Sequence, residues 1–410
     1  MNHVLIIGSI WPEPSSSAAG SRMMQLITLF LTQEWKITFA STAQKGIRKV
    51  DLSTLKIDEV AIELNNSSFD IFIQKLNPTI VLFDRFMMEE QFGWRVTESC
   101  PTALKILDTE DLHCLRKTRY EAIKNNKKFE TEDLLDAEIT KREIASIYRC
   151  DLSLIISTYE IELLKGLFKI DESLLYYLPF LLDKIKEEQI KNLKSFEERQ
   201  HFISIGNFLH APNIDAAFYL KKTIWPLIRK QLPNAEIHIY GAYITQQILE
   251  LHNAKEGFLI KGFATNAQKV VSNAKVCLAP LRFGAGIKGK LTEAMQNGTP
   301  SITTTIGAEG MHAELPWNGS IEDSPEKFAD KAVELYVNKS VWEKFQKNGI
   351  QIINQLYSKE KLSKPFLERL KNLQTTIEKH RTHNFIGAML QHHTLQSTKY
   401  LSKWIEAKNS

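Results

Sequence analysis

Short apolar runs alternate with longer helical segments along most of this chain, and the alternation occurs twice. In the first half the apolar runs lie at 4–8, 36–41, 60–64, 79–84, 104–108, 152–157 and 174–179. After a charged stretch at 184–200 they return at 202–206, 236–240, 258–261, 276–280 and 301–304. Continuous runs of this kind are typical of strands buried on both faces of a parallel sheet. The pattern therefore predicts an α/β chain with two doubly wound domains and a ligand cleft between them.

The break near residue 183 sets the expected domain organisation. At 410 residues the chain is too long for one ordinary core. We expect two Rossmann-like domains, at 1–182 and 183–360, followed by a polar helical tail at 361–410 that packs back across the domains or ends in partial disorder. The mixed-charge region 116–149 is interpreted first as an exposed helical excursion and second as a contact for lipid head groups.

Charge and cysteine content exclude several classes of protein. With 52 basic and 48 acidic side chains the net charge is only +4, which argues against a nucleic-acid binder but allows attraction to phosphates or an anionic membrane surface. The four cysteines form no CxxC pair and no metal-binding spacing, which indicates reduced, buried thiols. The N-terminus does not resemble a signal peptide, and no apolar run approaches the ~20 residues of a membrane span. We expect a cytoplasmic protein, with peripheral membrane contact as an option.

The segment at 279–300 carries the most informative chemistry. A predicted strand opens into a loop with Gly284, Gly286 and Gly289, and a helix is expected to begin near Ile287. Glycines let backbone N–H groups approach an anion closely, and the N-terminus of a helix favours negative charge. Positive side chains in the same segment are Arg282, Lys288 and Lys290. These features predict a diphosphate-binding cradle; a generic strand–helix turn with solvated lysines is the alternative.

Two acidic residues near this loop are candidates for contact with a nucleotide sugar. Glu293 lies about one turn into the predicted helix, where a carboxylate can accept two hydrogen bonds from a ribose diol. Glu309 lies in the segment Gly307-Ala-Glu-Gly310, after the strand at 301–304. We expect it either to contact a sugar hydroxyl or, by preference, to orient its loop.

The segment from Arg282 to Met295 resembles the donor-site signature of the GT-B glycosyltransferases of family 4 (glycosyl transferases group 1), in the branch that reads Arg-x-Gly-x-Gly-x-Lys-x-Lys-x-x-Glu-Ala-Met. Further segments similar to that family lie at 12–22, 107–116, 157–162, 205–217, 224–228 and 232–241. The resemblance runs from about Val4 to about Tyr357, and the tail after Glu360 matches nothing in it.

The resemblance implies the GT-B fold and transfer of a sugar from a UDP- or GDP-sugar donor to a hydroxyl, with retention of the anomeric configuration. It implies acceptors that are glycans, lipid-linked molecules or proteins, in the synthesis of cell-surface polysaccharide, glycolipid or glycoprotein. No cofactor and no metal are expected, because cations can stabilise the departing diphosphate and no DxD motif stands in a suitable place.

Carried over by position, Glu293 matches the second glutamate of the family's paired-glutamate motif, which holds the ribose. The first glutamate would fall at Ala285, so this sequence departs from the wider family at a position that contacts the donor sugar; backbone amides of 284–287 are the expected substitute. The loop at 206–210 lacks the Arg and Lys with which many relatives grip the diphosphate. Arg282, Lys288 and Lys290 are the candidates for that charge, and Lys288 is also assigned a catalytic role.

His113 is the second catalytic candidate. It follows the strand at 104–108 at the sheet edge where open α/β sheets place ligands, and the resemblance directs it toward the donor sugar or the acceptor. A surface or helix-capping histidine is the alternative. Gly20 and Arg22 open the first long helix, from which Arg22 either meets a donor phosphate or is solvated.

Gly262 and Phe263 end a strand where relatives of this family bind the nucleobase through main-chain atoms. An ordinary core aromatic is the alternative for Phe263. Asn213 is interpreted as the N-cap of the helix that runs through Leu220.

Two other functions remain open. A sugar-nucleotide epimerase uses the same fold, and a nucleotide-sugar-binding pseudoenzyme that serves as a partner subunit is favoured by the missing glutamate at Ala285. A dehydrogenase is disfavoured, because Gly8 begins no GxGxxG fingerprint.

Overall fold

The computed structural model describes residues 2–409, apart from the side chains of residues 393–395. The first domain contains a parallel seven-stranded sheet in the order β3-β2-β1-β4-β5-β6-β7. Its strands are β1 (His3–Gly8), β2 (Lys36–Ser41), β3 (Asp58–Ala61), β4 (Ile80–Asp84), β5 (Leu104–Asp108), β6 (Leu152–Ile155) and β7 (Leu175–Tyr177). The helices between them are α1 (Ala18–Leu31), α2 (Ser68–Leu76), α3 (Phe86–Ser99), α4 (His113–Lys124), α5 (Asp133–Asp136), α6 (Glu138–Arg149) and α7 (Thr158–Gly166).

The second domain contains a parallel six-stranded sheet in the order β10-β9-β8-β11-β12-β13. Its strands are β8 (Gln200–Asn207), β9 (Ile237–Ala242), β10 (Phe258–Gly262), β11 (Ala274–Ala279), β12 (Ser301–Thr303) and β13 (Gly319–Ile321). Its helices are α8 (Glu187–Lys191), α9 (Ala211–Tyr219), α10 (Trp225–Gln231), α11 (Gln246–Leu249), α12 (Ala267–Asn273), α13 (Gly289–Gln296), α14 (Thr305–Ala308), α15 (Pro325–Val337) and α16 (Lys339–Leu356). Two long helices follow, α17 (Lys359–His383) and α18 (Phe385–Asn409).

Strand β1 shows why the apolar runs form central strands. Val4, Leu5, Ile6 and Ile7 are all fully buried. Leu5 and Ile7 pack into the core on one face of the sheet, and Val4 and Ile6 pack into the core on the other. Successive side chains of a strand point to opposite faces, so a continuous apolar run suits a strand with helices on both sides.

In each sheet the strand order reverses between two neighbouring strands, β1 and β4 in the first and β8 and β11 in the second. Loops at the carboxyl ends of strands flanking such a reversal diverge and leave a crevice, which is where open α/β sheets bind ligands. The two crevices face each other across the interdomain cleft. The predicted fold class, two Rossmann-like doubly wound domains around a central cleft, is confirmed.

The tail returns to the first domain. Helix α17 buries Phe366, Leu367, Leu370 and Leu373 in the first domain's core beside α1, and α18 packs against α3 and α6. Arg381 of α17 donates hydrogen bonds to both carboxylate oxygens of Asp151, at 2.7 Å each. The tail therefore packs back on the first domain rather than across both domains.

The mixed-charge region 116–149 is helical and largely exposed at 124–138, as expected, but both of its ends are packed into the fold. It forms α4, α5 and α6, and these helices contact one another and α3. Arg149 is buried and ion-paired with Glu89, and Arg119 is buried as well. Two of the arginines that interrupt the apolar pattern, Arg119 and Arg149, form ion pairs inside the fold. Nowhere in the described part of the chain does a helix combine the length and apolar character needed to cross a bilayer.

Candidate functional site

The interdomain cleft encloses about 780 Å³ and is lined by both domains. The loops after β1, β4 and β5 form one wall, and the loops after β8, β9, β10 and β11 form the other. A cleft of this size accommodates a ligand of nucleotide-sugar dimensions.

Two helix N-termini meet in this cleft. Helix α13 begins at Gly289, two residues later than predicted, with Lys288 as its N-cap residue. A Cβ added to Gly289 would lie 2.4 Å from the Cβ of Ala18, the first residue of α1 in the other domain. Only glycine permits this approach, and it brings the positive ends of α1 and α13 together. The junction favours an anion such as a diphosphate.

Lys288 and Lys290 line the cleft beside this junction. The Lys290 Nζ donates to Asn213 Oδ1 at 2.7 Å, and the Lys288 Nζ donates to the carbonyl of Gly286 at 2.7 Å. Burial lowers the pKa of each ammonium to about 8. An anion bound between them offsets the cost of burying two cations, so the pair is suited to a diphosphate.

Asn213 is not the N-cap of its helix. Helix α9 begins at Ala211 with His210 as N-cap residue, and the Asn213 side chain instead donates to the carbonyl of Asn207 at 2.8 Å while it holds Lys290. Asn213 therefore positions a cleft lysine through a hydrogen bond between α9 and α13.

Arg282 lies away from the diphosphate position, which corrects the prediction. Its Nε and Nη2 donate to the two carboxylate oxygens of Asp215, and the guanidinium stacks on Tyr219 at 5.0 Å from the ring centroid. The neighbouring Leu281 and Phe283 line the cleft. The chain turns directly after β11, where the N–H of Leu281 donates to the carbonyl of Ala279 at 2.9 Å, and Arg282 faces away from the cleft.

Gly284 lines the cleft, whereas Gly286 serves domain contact. The carbonyl of Gly284 accepts from Arg119 Nη1 at 2.9 Å, and the N–H of Gly286 donates to Glu160 Oε1 at 2.9 Å. Gly286 has φ +62°, and a Cβ there would meet Asp111 at 2.7 Å. The Gly286 amide is thus already used by a first-domain carboxylate, which corrects its assignment to the donor.

Glu309 fits the interpretation that it orients its loop. Its two carboxylate oxygens accept from Arg119 Nη1 and Nη2, each at 2.8 Å. Arg119 belongs to α4 of the first domain, so this bidentate ion pair joins the domains next to the cleft. Glu309 does not itself line the cleft, but its charge acts on Lys288, which does, so the role at a sugar hydroxyl stays a prediction.

We expect Glu309→Ala to destabilise the fold, because it leaves the Arg119 guanidinium buried without its carboxylate. The loss in the free energy of unfolding is expected to be about 3 kcal/mol, the scale for removing one partner of a buried pair. Thermal midpoints of Glu309→Ala, Arg119→Met and the double variant complete a mutant cycle. A double variant that loses the full sum of the two single losses would show that the residues do not interact.

Glu293 lines the cleft on α13, one turn after Lys290. Burial raises the pKa of its carboxyl to about 7. A carboxylate that gains hydrogen-bond donors such as ribose hydroxyls becomes easier to ionise. Its position therefore agrees with the predicted ribose contact.

His113 lies in the cleft as the first residue of α4. The carboxylate of Glu143 accepts from the backbone N–H groups of His113 and Cys114, at 3.0 and 2.8 Å, and fixes this turn. The imidazole packs edge-on against Phe86 with 5.6 Å between centroids, and its Nε2 is 3.6 Å from Asp111 Oδ1. Burial lowers the pKa of His113 to about 4, so the ring is neutral at ordinary pH and offers a hydrogen bond rather than a charge.

Arg22 and Gly20 do not reach the donor. Arg22 is 1% exposed, donates to Asp108 Oδ1 at 2.9 and 3.1 Å, and donates to the carbonyls of Leu178 and Pro179. The N–H of Gly20 donates to Ser17 Oγ at 3.0 Å, and a Cβ there would meet the carbonyl of Glu13 at 2.5 Å. Both residues build the first domain, so neither the phosphate contact nor the solvated alternative for Arg22 holds.

Phe263 lines the cleft immediately after Gly262, which ends β10 with φ +87°. Arg48 of the first domain stacks over the rings of Phe263 and Tyr243, at 4.6 and 4.7 Å, and the Tyr243 hydroxyl donates to Glu13 at 2.6 Å. Phe263 is therefore not a core aromatic. Its ring and the Tyr243 ring both stack against the Arg48 guanidinium beside the cleft. Arg48 and Tyr243 were not found from the sequence, since neither belongs to a recognised pattern.

Sequence reasoning also missed a charged cluster on the first-domain wall. Arg85 and Glu110 line the cleft, and both adopt positive φ, +72° and +62°. Arg85 donates to Ser9 Oγ at 2.5 Å. Glu110 Oε1 is buried without a hydrogen-bond partner among the described residues, and burial beside Asp108 raises the pKa of Glu110 well above its ordinary value. Strained backbone of this kind is concentrated at functional sites. In the sequence, the feature that could have indicated this cluster is the charged pair Asp84-Arg85 directly after an apolar run.

Among the described residues, no three His, Cys, Asp or Glu side chains lie close enough together to hold a metal ion.

Comparison with known proteins agrees with this architecture. Residues 199–338 match the family model described as glycosyl transferases group 1, which confirms the resemblance at that level within the second domain. No curated protein matches the sequence significantly.

Solved structures of known glycosyltransferases superpose on most of the chain at low identity. A variant of TarM from S. aureus, in complex with fondaparinux, α-GlcNAc-glycerol and UDP, is 12% identical with a TM-score of 0.67, covering 91% of this chain and 100% of that one. HepE from Anabaena with UDP and glucose is 11% identical with a TM-score of 0.63, covering 90% and 100%. A glycosyltransferase from Rickettsia africae is 12% identical with a TM-score of 0.64, covering 91% and 98%. The chain has the GT-B fold.

Proposed function

We propose that this protein is a glycosyltransferase that moves a sugar from a UDP- or GDP-sugar to a hydroxyl group of an acceptor. The observation that carries the proposal is the meeting of α1 and α13 in the cleft, with Lys288, Lys290 and Glu293 on the donor side. The match of the second domain to group 1 glycosyltransferases supports it. So do the complexes of similarly folded proteins with UDP.

The chain's own groups suit the chemistry of such a transfer. Negative charge grows on the diphosphate as the bond to the sugar breaks, and Lys288, Lys290 and two helix N-termini are placed to stabilise it. The closed cleft holds the acceptor hydroxyl near the anomeric carbon and turns a bimolecular encounter into an oriented one. We expect these cationic side chains to supply the stabilising positive charge without a metal or another cofactor.

Several finer features belong to the proposal. We assign the enzyme to family 4 and expect it to transfer a hexose with retention of the anomeric configuration. We expect glycan, lipid-linked or protein acceptors in the synthesis of cell-surface polysaccharide, glycolipid or glycoprotein, and a place in the cytoplasm or on the membrane surface that adjoins it. His113, from the opposite wall, is proposed to contact the sugar or the acceptor.

One observation favours a second candidate, a nucleotide-sugar-binding partner subunit without activity. Ala285 lines the cleft at the position where the family's first glutamate would contact the sugar. The first-domain carboxyl of Glu110 also lines the cleft and is a candidate to replace that glutamate. Release of free nucleoside diphosphate by the isolated chain supports transfer; unchanged donor after prolonged incubation supports the partner subunit; and an epimerised donor without release supports an epimerase.

The donor assignment is tested by nucleotide binding to Glu293→Gln. We expect UDP or GDP to raise the thermal midpoint of the parent, and the variant to lose about 1.5–3 kcal/mol of nucleotide binding, the scale of hydrogen bonds to a charged group. Because the pKa of Glu293 is raised to about 7, the carboxylate form increases as pH rises through that value. The difference in nucleotide affinity between the parent and Glu293→Gln should therefore increase from pH 6 to pH 8.

Glu343→Gln, at an exposed position on α16, is the matched control and should bind as the parent does. A folded Glu293→Gln protein with parental affinity at every pH would remove Glu293 from the ribose site. Absence of any stabilisation of the parent by UDP, GDP or their sugars would contradict the proposed function itself.

A further inference from the structure

The C-terminal helix α18 has one face packed on the first domain. Ser402 is buried and its Oγ accepts from Arg95 Nη2 at 3.2 Å. The Gln391 side-chain amide donates to the carbonyl of Arg149 at 3.0 Å, and Lys399 is paired with Glu98. These contacts fix which side of α18 faces α3 and α6.

The opposite face carries exposed apolar side chains near the start of the helix and again in its last third. Its members are Ile386, Met389, Tyr400 and Trp404, flanked by Phe385 and Leu401, and all six are between 45% and 75% exposed. At 3.6 residues per turn, positions 386 and 400 are about four turns apart and 400 and 404 about one, so they share one side of the helix. We call these six residues the α18 ridge. They form two exposed apolar clusters on the same side of the helix, one at 385–389 and one at 400–404, and exposed apolar clusters of this kind mark a contact surface.

The charge of the tail indicates what the ridge contacts. Residues 361–410 contain nine Lys and Arg and three Asp and Glu, a net charge of +6, whereas the whole chain has +4. The remaining 360 residues therefore carry −2. Lys403 and Lys408 are exposed on the two sides of the ridge, and the Lys408 Nζ lies 5.2 Å from the Trp404 ring centroid. Most of this basic charge lies on α17, and on α18 itself Lys403 and Lys408 flank the apolar residues around Trp404.

We propose that the α18 ridge docks this protein on the surface of an anionic lipid bilayer. Trp, Tyr and Phe side chains flanked by lysines are the composition of helices that lie in the membrane interface, where the rings enter the acyl boundary and the ammonium groups stay at the phosphates. A second copy of the chain suits the ridge poorly, because two tails of +6 would face each other. The assignment does not depend on the proposed activity.

Vesicle co-sedimentation tests the proposal with the full chain. The parent is expected to bind vesicles of phosphatidylcholine and phosphatidylserine, more weakly at high salt, and to bind pure phosphatidylcholine vesicles far less. Tyr400→Ser/Trp404→Ser should lower binding to the anionic vesicles by at least about tenfold, from lost apolar burial. Lys403→Glu/Lys408→Glu should lower it by a similar factor.

Lys344→Glu/Lys347→Glu is the matched control, since it makes the same change in net charge on the exposed side of α16 in the second domain. This control should bind anionic vesicles nearly as the parent does, and thermal midpoints should show that all variants fold. The proposal is overturned if the parent does not bind the anionic vesicles, or if the ridge variants bind as well as the parent. It is also overturned if light scattering shows a dimer that Tyr400→Ser/Trp404→Ser converts to monomer, which would assign the ridge to a second copy.

Discussion

Replacement of both Lys288 and Lys290 by alanine is expected to lower the turnover number about 10³-fold, on the scale of removing preorganised donors from a developing anion. Affinity for the nucleoside without phosphates should change little. The two ammonium groups lie where the diphosphate is expected, so their contribution grows as negative charge develops in the transition state. The measurements are nucleoside diphosphate release at saturating donor and calorimetric binding of uridine or guanosine.

Arg282→Ala is the matched control for this experiment. Arg282 lies in the same loop, but its guanidinium is paired with Asp215 outside the cleft, so turnover should stay near that of the parent. Lys288 interacts with the buried charged groups Glu160, Glu309 and Arg119, so its removal can also disturb the fold. Lys290→Ala alone therefore tests the effect on turnover without removing Lys288. Parental turnover in the double variant would mean that these lysines do not stabilise the departing group.

His113→Asn is expected to cut transfer about 10²-fold, within the range for a positioned hydrogen-bonding or proton-transferring side chain. Nucleotide affinity, which depends on the second domain, should stay unchanged. Since the pKa of His113 is lowered to about 4, the ring is neutral from pH 5 to pH 8. The ratio of parental to variant transfer should therefore stay constant over that interval.

The same lowered pKa predicts how His113 affects stability. Between about pH 6.5 and pH 4 the imidazole of His113 is protonated in the unfolded chain but neutral in the folded chain. The free energy of unfolding therefore falls as pH drops through this window. His113→Asn should flatten that fall, whereas His383→Asn, at an exposed histidine of α17, should not. Joint loss of fold and nucleotide affinity would make His113 structural; full transfer activity would remove it from the sugar and acceptor site.

Local patterns predicted most of the sheet architecture correctly. Twelve apolar runs became strands β1–β12 with boundary shifts of a few residues, because a strand covered on both faces must be apolar throughout. Strand β13 was missed since Gly319–Ile321 is only three residues long and pairs beside β12 without an apolar run. The alternatives for the tail were settled by Phe366 and Leu370, whose burial depends on a surface of the first domain that no local pattern describes.

The sequence by itself determined which of the residues that line the cleft are placed together by their own element. Lys290 and Glu293 lie three residues apart, and helical periodicity places them on one side of α13 whatever the rest of the chain does. Likewise His113 follows a strand end, and the ends of parallel strands meet at the edge of a sheet that binds ligands. Both inferences need only local geometry.

Only the tertiary structure decided which charged groups are free to meet a ligand. Arg22 is engaged by Asp108, 86 residues away, and Arg119 by Glu309, 190 residues away. Arg282 turns outward to Asp215, and Arg48 reaches the rings of Phe263 and Tyr243 across the cleft. The physical reason for Arg22 and Arg119 is that a buried guanidinium must be paired. In all four cases the partner comes from whichever distant segment the packing brings within reach.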